Sequence, residues 1–191
     1  MEKFYLEEPS IKRKEKAIDY ILEHLKYNSD INGTSGLNSR YENYEKWLEY
    51  VESMKNIDTC PKDRSPGIEY FLIRENDNKL IGMINLRWNL NEDMLLHAGN
   101  IGYGIRPTER RKGYNKINLY LCLLEAQKQN LKRVLLMAYD DNPGSIKTIL
   151  ALGGVLINRI EYKEKQLGRY QIDVDDSLNK YKSNYKKYIK E

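Results

Sequence analysis

The chain has few of the residues that build metal centres and disulfide scaffolds. Its 191 residues include only two cysteines, Cys60 and Cys122, and two histidines, His24 and His97. Two cysteines this far apart in sequence match no metal-ligand spacing and exclude a disulfide framework. A histidine-rich centre needs more imidazoles than the chain contains. We therefore expect no bound metal.

Long apolar runs and a large charge of one sign are also missing. No segment approaches the ~18 apolar residues of a membrane span, and the first residues lack the apolar region of a signal peptide. We expect no membrane partner and a cytoplasmic location. With 32 basic and 28 acidic residues the net charge is only +4, which does not argue for a nucleic-acid partner.

What the chain does have is enough hydrophobic sequence for a core, with 40% hydrophobic and 31% charged residues. We expect one domain over residues 1–174, with its core at about 65–160, and a Lys- and Tyr-rich segment at 175–191. That last segment places Leu178, Tyr181, Tyr185 and Tyr188 on one helical face. It either docks on the body of the protein or a partner, or frays as a tail.

Hydrophobic periodicity predicts two N-terminal helices, a run of strands, and then alternating strands and helices. Residues 89–100 are predicted as a polar connection. This order implies an α/β layered fold, a mixed central sheet flanked by helices, with a parallel crossover in the second half. The predicted helices are 10–27, 40–55, 113–130 and 142–152, and the predicted strands are 68–75, 80–88, 101–106, 133–139, 155–161 and 169–174.

A basic loop between a strand and a helix carries the strongest local signal. The segment Arg110-Arg-Lys-Gly-Tyr-Asn115 leads directly into the amphipathic helix. A helix start leaves N–H groups unpaired and carries a positive dipole end, so it binds phosphate, and Gly113 lets a ligand approach the backbone. Pro107 breaks the dinucleotide glycine pattern, and Tyr114 breaks the nucleoside-triphosphate pattern. A solvated basic loop that caps a helix is the alternative.

The same loop resembles the Arg/Gln-x-x-Gly-x-Gly/Ala loop of the GNAT acyltransferases, which cradles the pyrophosphate of coenzyme A. Asn115 replaces the usual small residue. The resemblance extends over residues 65–160, where 101–106 is similar to the central strand and 140–145 to the Asn-x-x-Ala/Ser element. The blocks 85–93, 97–107 and 152–154 resemble a subgroup of bacterial predicted acetyltransferases.

The resemblance implies an acyl-CoA N-acyltransferase fold whose central strand bulges away from its parallel neighbour and admits the pantetheine arm of acetyl-CoA. Gly102 and Gly104 fit such a bulge, or a close backbone approach. Asn142 also suits the N-cap of its own helix. The resemblance assigns cofactor-binding residues in three groups. The backbone of Ile105 and Arg106 would hold the pantetheine arm, and Asn142 with Ser145 would contact the other side of that arm. The pyrophosphate would be held by Arg110, Arg111, Lys112, Gly113, Tyr114 and Asn115.

The catalytic residues are less completely matched. The backbone N–H of Ile105 is expected to stabilise the oxyanion. Asn100 stands where many relatives have a glutamate base, and Ile149 where many have a tyrosine acid. The remaining candidates are His97, Glu69, Tyr103 and Tyr139, each of which also has an ordinary structural explanation.

The acceptor site is expected from the N-terminal half and the 89–100 loop. Tyr44, Trp47, Arg87 and Trp88 are candidates for it, and Arg87 could hold an acceptor carboxylate or phosphate.

These observations predict an N-acetyltransferase that transfers an acetyl group from acetyl-CoA to a primary amine of a small molecule, by direct attack in a ternary complex. The protein is expected to be a monomer or homodimer. Asn100 and Ile149 keep open a non-catalytic acyl-CoA sensor, and a protein N-acetyltransferase is a further alternative. A nucleic-acid module is the weakest, because the positive charge is local and no nucleic-acid motif accompanies it.

Overall fold

A computed structural model describes residues 2–190, which form two antiparallel sheets flanked by helices. The first sheet has the strand order β1-β2-β3-β4 and the second β5-β7-β6. Short 3₁₀ turns precede or follow several helices. The strands are β1 (Phe4–Glu7), β2 (Gly67–Arg74), β3 (Lys79–Arg87), β4 (Ile101–Ile105), β5 (Arg133–Tyr139), β6 (Val155–Tyr162) and β7 (Lys165–Asp173). The helices are α1 (Lys14–Lys26), α2 (Tyr44–Ser53), α3 (Glu92–His97), α4 (Tyr114–Lys128), α5 (Pro143–Leu150) and α6 (Val174–Tyr185).

The α/β fold and the β2–β3 hairpin predicted from the sequence are confirmed, and three elements differ. The strand β1 was not predicted, because four residues carry little periodic signal and are held by pairing with β2. The connection 89–100 contains α3, whose start is capped by Asn91 Oδ1 accepting from Met94 N at 2.9 Å. The strand β7 begins four residues earlier than the predicted strand at 169.

Hydrophobic side chains pack on both faces of the first sheet. Phe71 and Met83 lie on the face covered by α1 and α2, with Tyr20 and Trp47. The opposite face packs on α4, which is buried on most of its surface and lies against α6. Helix α4 is thus held firmly, and so is the loop at its N-terminus.

The C-terminal segment docks on the body of the protein as a helix. Leu178 and Tyr185 of α6 are buried, and the Tyr185 ring stacks on Tyr120 of α4 with centroids 5.0 Å apart. Of the two interpretations of this segment, docking is the one observed.

The predicted parallel pairing in the second half is wrong for the described residues, because every strand pair there is antiparallel. The strands β4 and β5 contact each other only where β4 begins, through a bridge between Gly99 and Leu136. Beyond that point they carry no ladder of hydrogen bonds. The two sheets therefore diverge and leave a gap between β4 and β5.

Asn100 closes the narrow end of this gap. Its backbone N–H donates to Leu135 O at 2.7 Å, and its Oδ1 accepts from Leu135 N at 2.8 Å. On the other side its Nδ2 donates to Arg87 O at 2.9 Å. Because all its polar groups are used in joining β3 to β5, Asn100 has a structural role and no free group for proton transfer.

Candidate active site

The edge of β4 that faces the gap has unpaired backbone groups. Arg87 N donates to Asn100 O, and Arg106 N donates to Ile81 O, so the even-numbered residues of β4 exchange hydrogen bonds with β3. Backbone groups alternate in direction along a strand. The N–H groups of Tyr103 and Ile105 therefore point toward β5, and among residues 2–190 neither has a backbone or side-chain acceptor.

The two glycines of β4 allow another part of the backbone to lie close to the strand. They form no β-bulge, so the predicted bulge is wrong. The β3–β4 register runs without a shift from Leu86 paired with Ile101 to Gly82 paired with Ile105. A Cβ on Gly104 would lie 2.7 Å from Asn32 O and 3.0 Å from Tyr20 Oη. The loop between α1 and α2 thus rests on the backbone of β4, which only glycine permits.

The basic loop presents the start of α4 to solvent. Gly113 has φ +84° and is the N-cap residue, and no side chain caps the helix. A Cβ on Gly113 would meet no atom within 4 Å. Open space, uncapped N–H groups and a helix dipole at one point make an anion site.

A buried carboxylate holds this loop in place. Glu109 contacts Lys79 and Lys112, each at 2.8 Å, and Arg74 at 3.1 Å. Although burial opposes ionisation, these hydrogen bonds to cations lower the pKa of Glu109 to about 2. The Tyr114 side chain turns away from the loop to Phe4 and Glu2, so only its backbone is available to a ligand.

Two predicted cofactor residues are committed to other partners. Arg106 is buried and contacts Asp19 at 2.5 Å and Glu23 at 2.8 Å, while its backbone N–H and C=O bond to Ile81 O and Glu109 N. We therefore drop it from the pantetheine-binding residues, because it has no free backbone group. Arg110 donates from Nε to Ile105 O at 3.0 Å and from Nη2 to Ser29 Oγ at 2.6 Å.

Tyr103 reaches across from β4 to α5. Its hydroxyl lies 2.8 Å from Ser145 Oγ. Burial raises the pKa of the Tyr103 phenol, which keeps its proton at neutral pH. Asn142 caps α5, since its Oδ1 accepts from Ser145 N at 3.0 Å. The structure thus brings Tyr103, Asn142 and Ser145 together beside the gap.

Near the start of α4, two asparagines have buried amide atoms without partners among residues 2–190. Asn115 donates weakly to Thr148 Oγ1 at 3.4 Å, but its Oδ1 has no partner. Asn118, which was not predicted, has no partner for either amide atom. The Nδ2 atom of Asn118 and the side chain of Ile105 both lie within 3.5 Å of the position that a Cβ on Gly82 would occupy, so Asn118 lies next to Ile105 of β4. Buried amides normally have partners, so these two fit a polar ligand beside β4.

A cavity of about 460 Å³ lies on the opposite face of the first sheet, beneath the α1–α2 loop. Glu69, Asn85 and Gly102 are register partners across β2, β3 and β4, so they form one row on this face. At one strand spacing of ~4.8 Å per step, Glu69 lies about 10 Å from the β4 backbone.

Glu69 is the titratable side chain whose environment is most distinctive. It is 2% exposed and lines the cavity. Its Oε2 accepts from Ser35 Oγ at 2.6 Å, whereas its Oε1 has no partner among the described residues. Burial raises the pKa of Glu69 to about 8, against the opposing effects of Ser35, Asn85 and Arg87. A carboxyl group that titrates near neutrality can accept and return a proton.

Other candidates lie elsewhere. His97, at the end of α3, bonds Asp93 at 2.9 Å and stacks on Tyr162, and it does not line the cavity. Tyr44 and Trp47 are fully buried core residues. Tyr139 ends β5 beside Lys165. Arg87 does line the cavity.

Among residues 2–190 no group of three or more His, Cys, Asp or Glu side chains could hold a metal ion, and no helix is long and apolar enough to cross a bilayer.

The raised pKa of Glu69 predicts a pH-dependent stability. In the folded state Glu69 keeps its proton up to about pH 8, whereas in the unfolded chain it loses it near 4.5. Between these values the native state binds the extra proton, so the free energy of unfolding falls by about 1.4 kcal/mol for each pH unit from this group. Urea unfolding from pH 5 to 8 should show this fall relative to Glu69→Gln. Parallel curves for the two proteins would contradict it.

Comparison with known proteins shows which family the chain belongs to. The model of the family described as acetyltransferase (GNAT) domain matches residues 16–155, which is most of the chain. The chain belongs to the GNAT acetyltransferase family. It is an acyltransferase with the GNAT fold expected from its sequence. No curated protein matches the chain in sequence.

Solved structures of GNAT acetyltransferases share the fold at low identity. The ribosomal-protein-S5-alanine acetyltransferase of Vibrio fischeri has a TM-score of 0.70 and 16% identity, covering 92% of this chain and 96% of that one. The spermidine N-acetyltransferase of Vibrio cholerae, in complex with CoA and spermine, has a TM-score of 0.64 and 13% identity, covering 93% and 99%. A GNAT-family acetyltransferase of Bacillus anthracis has a TM-score of 0.60 and 16% identity, covering 91% and 96%.

Proposed function

We propose that this GNAT acetyltransferase transfers the acetyl group of acetyl-CoA to a primary amine of a small molecule, by direct attack in a ternary complex. The observation that carries the proposal is the arrangement around β4. The strand has a free backbone edge toward the gap and the α4 anion site at its end, and a cavity with a buried carboxyl lies on its other face. Two substrates can therefore approach the strand from different sides.

The residues present fit coenzyme A. The N–H groups at the start of α4, with Gly113 and the exposed Arg111 and Lys112, would hold the pyrophosphate. The free N–H of Tyr103 would hold the pantetheine and leave that of Ile105 for the thioester carbonyl, and the unpartnered amides of Asn115 and Asn118 support a polar chain passing nearby. When bound, acetyl-CoA supplies a thioester carbonyl that is reactive toward amines.

Three groups of this chain accept a proton, stabilise the oxyanion and donate a proton, respectively. Glu69, in its ionised form, accepts a proton from the ammonium of the acceptor, through water across the ~10 Å to β4. The Ile105 N–H donates to the oxyanion as the C–N bond forms and the C–S bond breaks. Tyr103 donates its phenolic proton to the departing thiolate and regains one from the new amide nitrogen, through Ser145 or water. Holding both substrates in register supplies much of the rate.

Glu69→Gln tests the proposed base. We expect kcat/KM to fall about 100-fold, since a positioned general base contributes at least this much. In the wild type kcat/KM should rise with pH and reach a plateau above about pH 8, as Glu69 loses its proton. In Glu69→Gln this rise should be absent. Thiol release from acetyl-CoA across a panel of amines measures both. A limb that follows the pKa of each acceptor and persists in Glu69→Gln would contradict the role of Glu69.

Tyr103→Phe tests the proposed acid. The substitution removes one hydroxyl that lies 2.8 Å from Ser145 Oγ, and the ring stays in place. We expect kcat to fall about 10- to 100-fold with an unchanged Kd for acetyl-CoA, because the proton is needed only as the thiolate leaves. Tyr188→Phe, in the 3₁₀ turn after α6, is the matched control and should keep its kcat. If no amine releases thiol from the wild type although acetyl-CoA binds, the proposed activity is wrong.

A further inference from the structure

The cavity beneath the α1–α2 loop has an unusual charge for a site that receives an ammonium group. Three arginines line it, Arg40, Arg64 and Arg87, against one carboxyl, Glu69. Since the pKa of Glu69 is raised to about 8, this carboxyl is largely neutral at pH 7. The remaining polar lining consists of serine, threonine and asparagine side chains. The walls are therefore cationic, and they favour a ligand with negative charge.

Arg87 lies beside the cavity without a carboxylate partner from the part of the protein that the structure describes. Its Nε donates to Gly99 O at 3.1 Å, and its Nη2 lies 3.5 Å from where a Cβ on Gly102 would be. None of the salt bridges among residues 2–190 involves Arg87. Glu69 on the neighbouring strand exerts only a longer-range attraction. The guanidinium is thus partly buried, charged, and short of an anionic partner.

Three other arginines that are buried or partly buried have carboxylate partners, whereas Arg169, which is partly buried, has none among residues 2–190. Arg13 pairs with Glu7, Arg74 with Asp77 and Glu109, and Arg106 with Asp19 and Glu23. The side chains of these three are 4–12% exposed. A buried charge is costly without a counter-charge, and here the fold supplies one for each. Arg87 differs because it faces the cavity, where a ligand can supply the counter-charge.

We infer that the acceptor amine also carries an anionic group, a carboxylate or a phosphate, and that Arg87 binds this group while the amine faces Glu69. The inference rests on the proposed function, since it names the class of the acceptor. A guanidinium forms paired hydrogen bonds with either anion. Arg40, stacked on Tyr50 at 4.7 Å, adds positive charge to the same walls, whereas the charge of Arg64 is partly balanced by Asp63 at 3.6 Å. A linear polyamine would place further positive charges against these three arginines.

The volume of the cavity suits a small molecule. About 460 Å³ lies within the range of roughly 300–1,000 Å³ that small-molecule sites occupy. An amino acid, or an amino alcohol phosphate, would fit with its amine toward Glu69 and its anion at Arg87.

Matched acceptor pairs test the inference. Alanine and alaninamide differ by one carboxylate charge, phosphoethanolamine and ethanolamine differ by a phosphate, and spermidine represents the polyamines. We expect the anionic member of at least one pair to have a kcat/KM more than about 10-fold above its neutral partner and above spermidine, about the effect of one charged contact. The pair that responds distinguishes carboxylate from phosphate. Equal or faster turnover of the neutral members or of spermidine would overturn the inference and leave the proposed activity standing.

Arg87→Gln should abolish this preference. We expect KM for the anionic acceptor to rise about 10-fold or more with kcat largely kept, because Arg87 contacts a part of the acceptor remote from the reacting atoms. Arg87→Lys keeps the charge and should retain most of the preference. Arg133→Gln, an exposed arginine at the start of β5, is the control and should change neither parameter. If Arg87→Gln still binds acetyl-CoA and prefers anionic amines as the wild type does, Arg87 does not bind the anion.

Discussion

Gly113→Asp should abolish acetyl-CoA binding and leave the protein folded. Gly113 has φ +84° and open space around its Cβ position, so a short side chain there projects into the anion site at the start of α4. A carboxylate would lie against the pyrophosphate and would compete for the same N–H groups. We expect the Kd for acetyl-CoA to rise at least about 100-fold, or roughly 3 kcal/mol. Isothermal titration calorimetry with acetyl-CoA measures this.

Gly113→Asn is the matched control for this experiment. Asparagine and aspartate have almost the same shape, and both tolerate a positive φ better than other side chains. A negative charge at a helix N-terminus is also favourable to the helix, so Gly113→Asp should be no less stable than Gly113→Asn. The Asn variant should bind acetyl-CoA within about 10-fold of the wild type. If both variants bind equally well, the pyrophosphate does not lie at this helix start.

Asn100→Leu should destabilise the protein by about 2–5 kcal/mol. Leucine fills a similar volume but leaves the Leu135 N–H and the Arg87 carbonyl buried without partners, at about 1–3 kcal/mol each. Both groups lie where the two sheets join, so the loss should also loosen the gap between β4 and β5. The free energy of unfolding in urea measures the effect. The hydrogen bond from Asn100 N to Leu135 O remains, and the fold should survive.

Asn76→Leu is the control for Asn100→Leu. Asn76 is exposed in the turn between β2 and β3, and a surface change of this kind usually stays within about 0.5 kcal/mol. If Asn100→Leu is as stable as this control, Asn100 does not hold the sheets together. The experiment therefore also tests a structural explanation for Asn100, which stands where many relatives have a glutamate base. An amide that joins the sheets can occupy this position whether or not the protein is catalytic.

Much of the fold was predictable because its signals are local. The strand β5 was predicted at its observed bounds, and α4 and the β2–β3 hairpin within two residues, from apolar periodicity and turn residues. The basic loop before α4 was found in the same way, since Gly113 and the following helix are adjacent in sequence. The strand β1 and helix α3 were missed because both are short, and β1 depends on a distant partner.

The catalytic candidates could not be ranked from the sequence, because their chemistry depends on distant neighbours. His97 and Glu69 were both candidates, and nothing in the sequence separated them. In the fold, His97 lies at the end of α3 against Tyr162, whereas Glu69 lies in the cavity wall with its pKa raised to about 8 by burial. Arg106 appeared to belong to the cofactor site until the fold placed it between Asp19 and Glu23.

By itself, the sequence determined the family, the order of most elements and the position of the basic loop before α4, because each depends on residues near one another along the chain. The tertiary structure decided which polar groups are paired and which are not. Hydrogen bonds and burial join Asn100 to Leu135 and shield Glu69. Among residues 2–190 they leave Arg87 without a carboxylate partner and the N–H groups of Tyr103 and Ile105 without acceptors. These contacts span up to tens of residues, and the electrostatics of a buried group depend on everything packed around it.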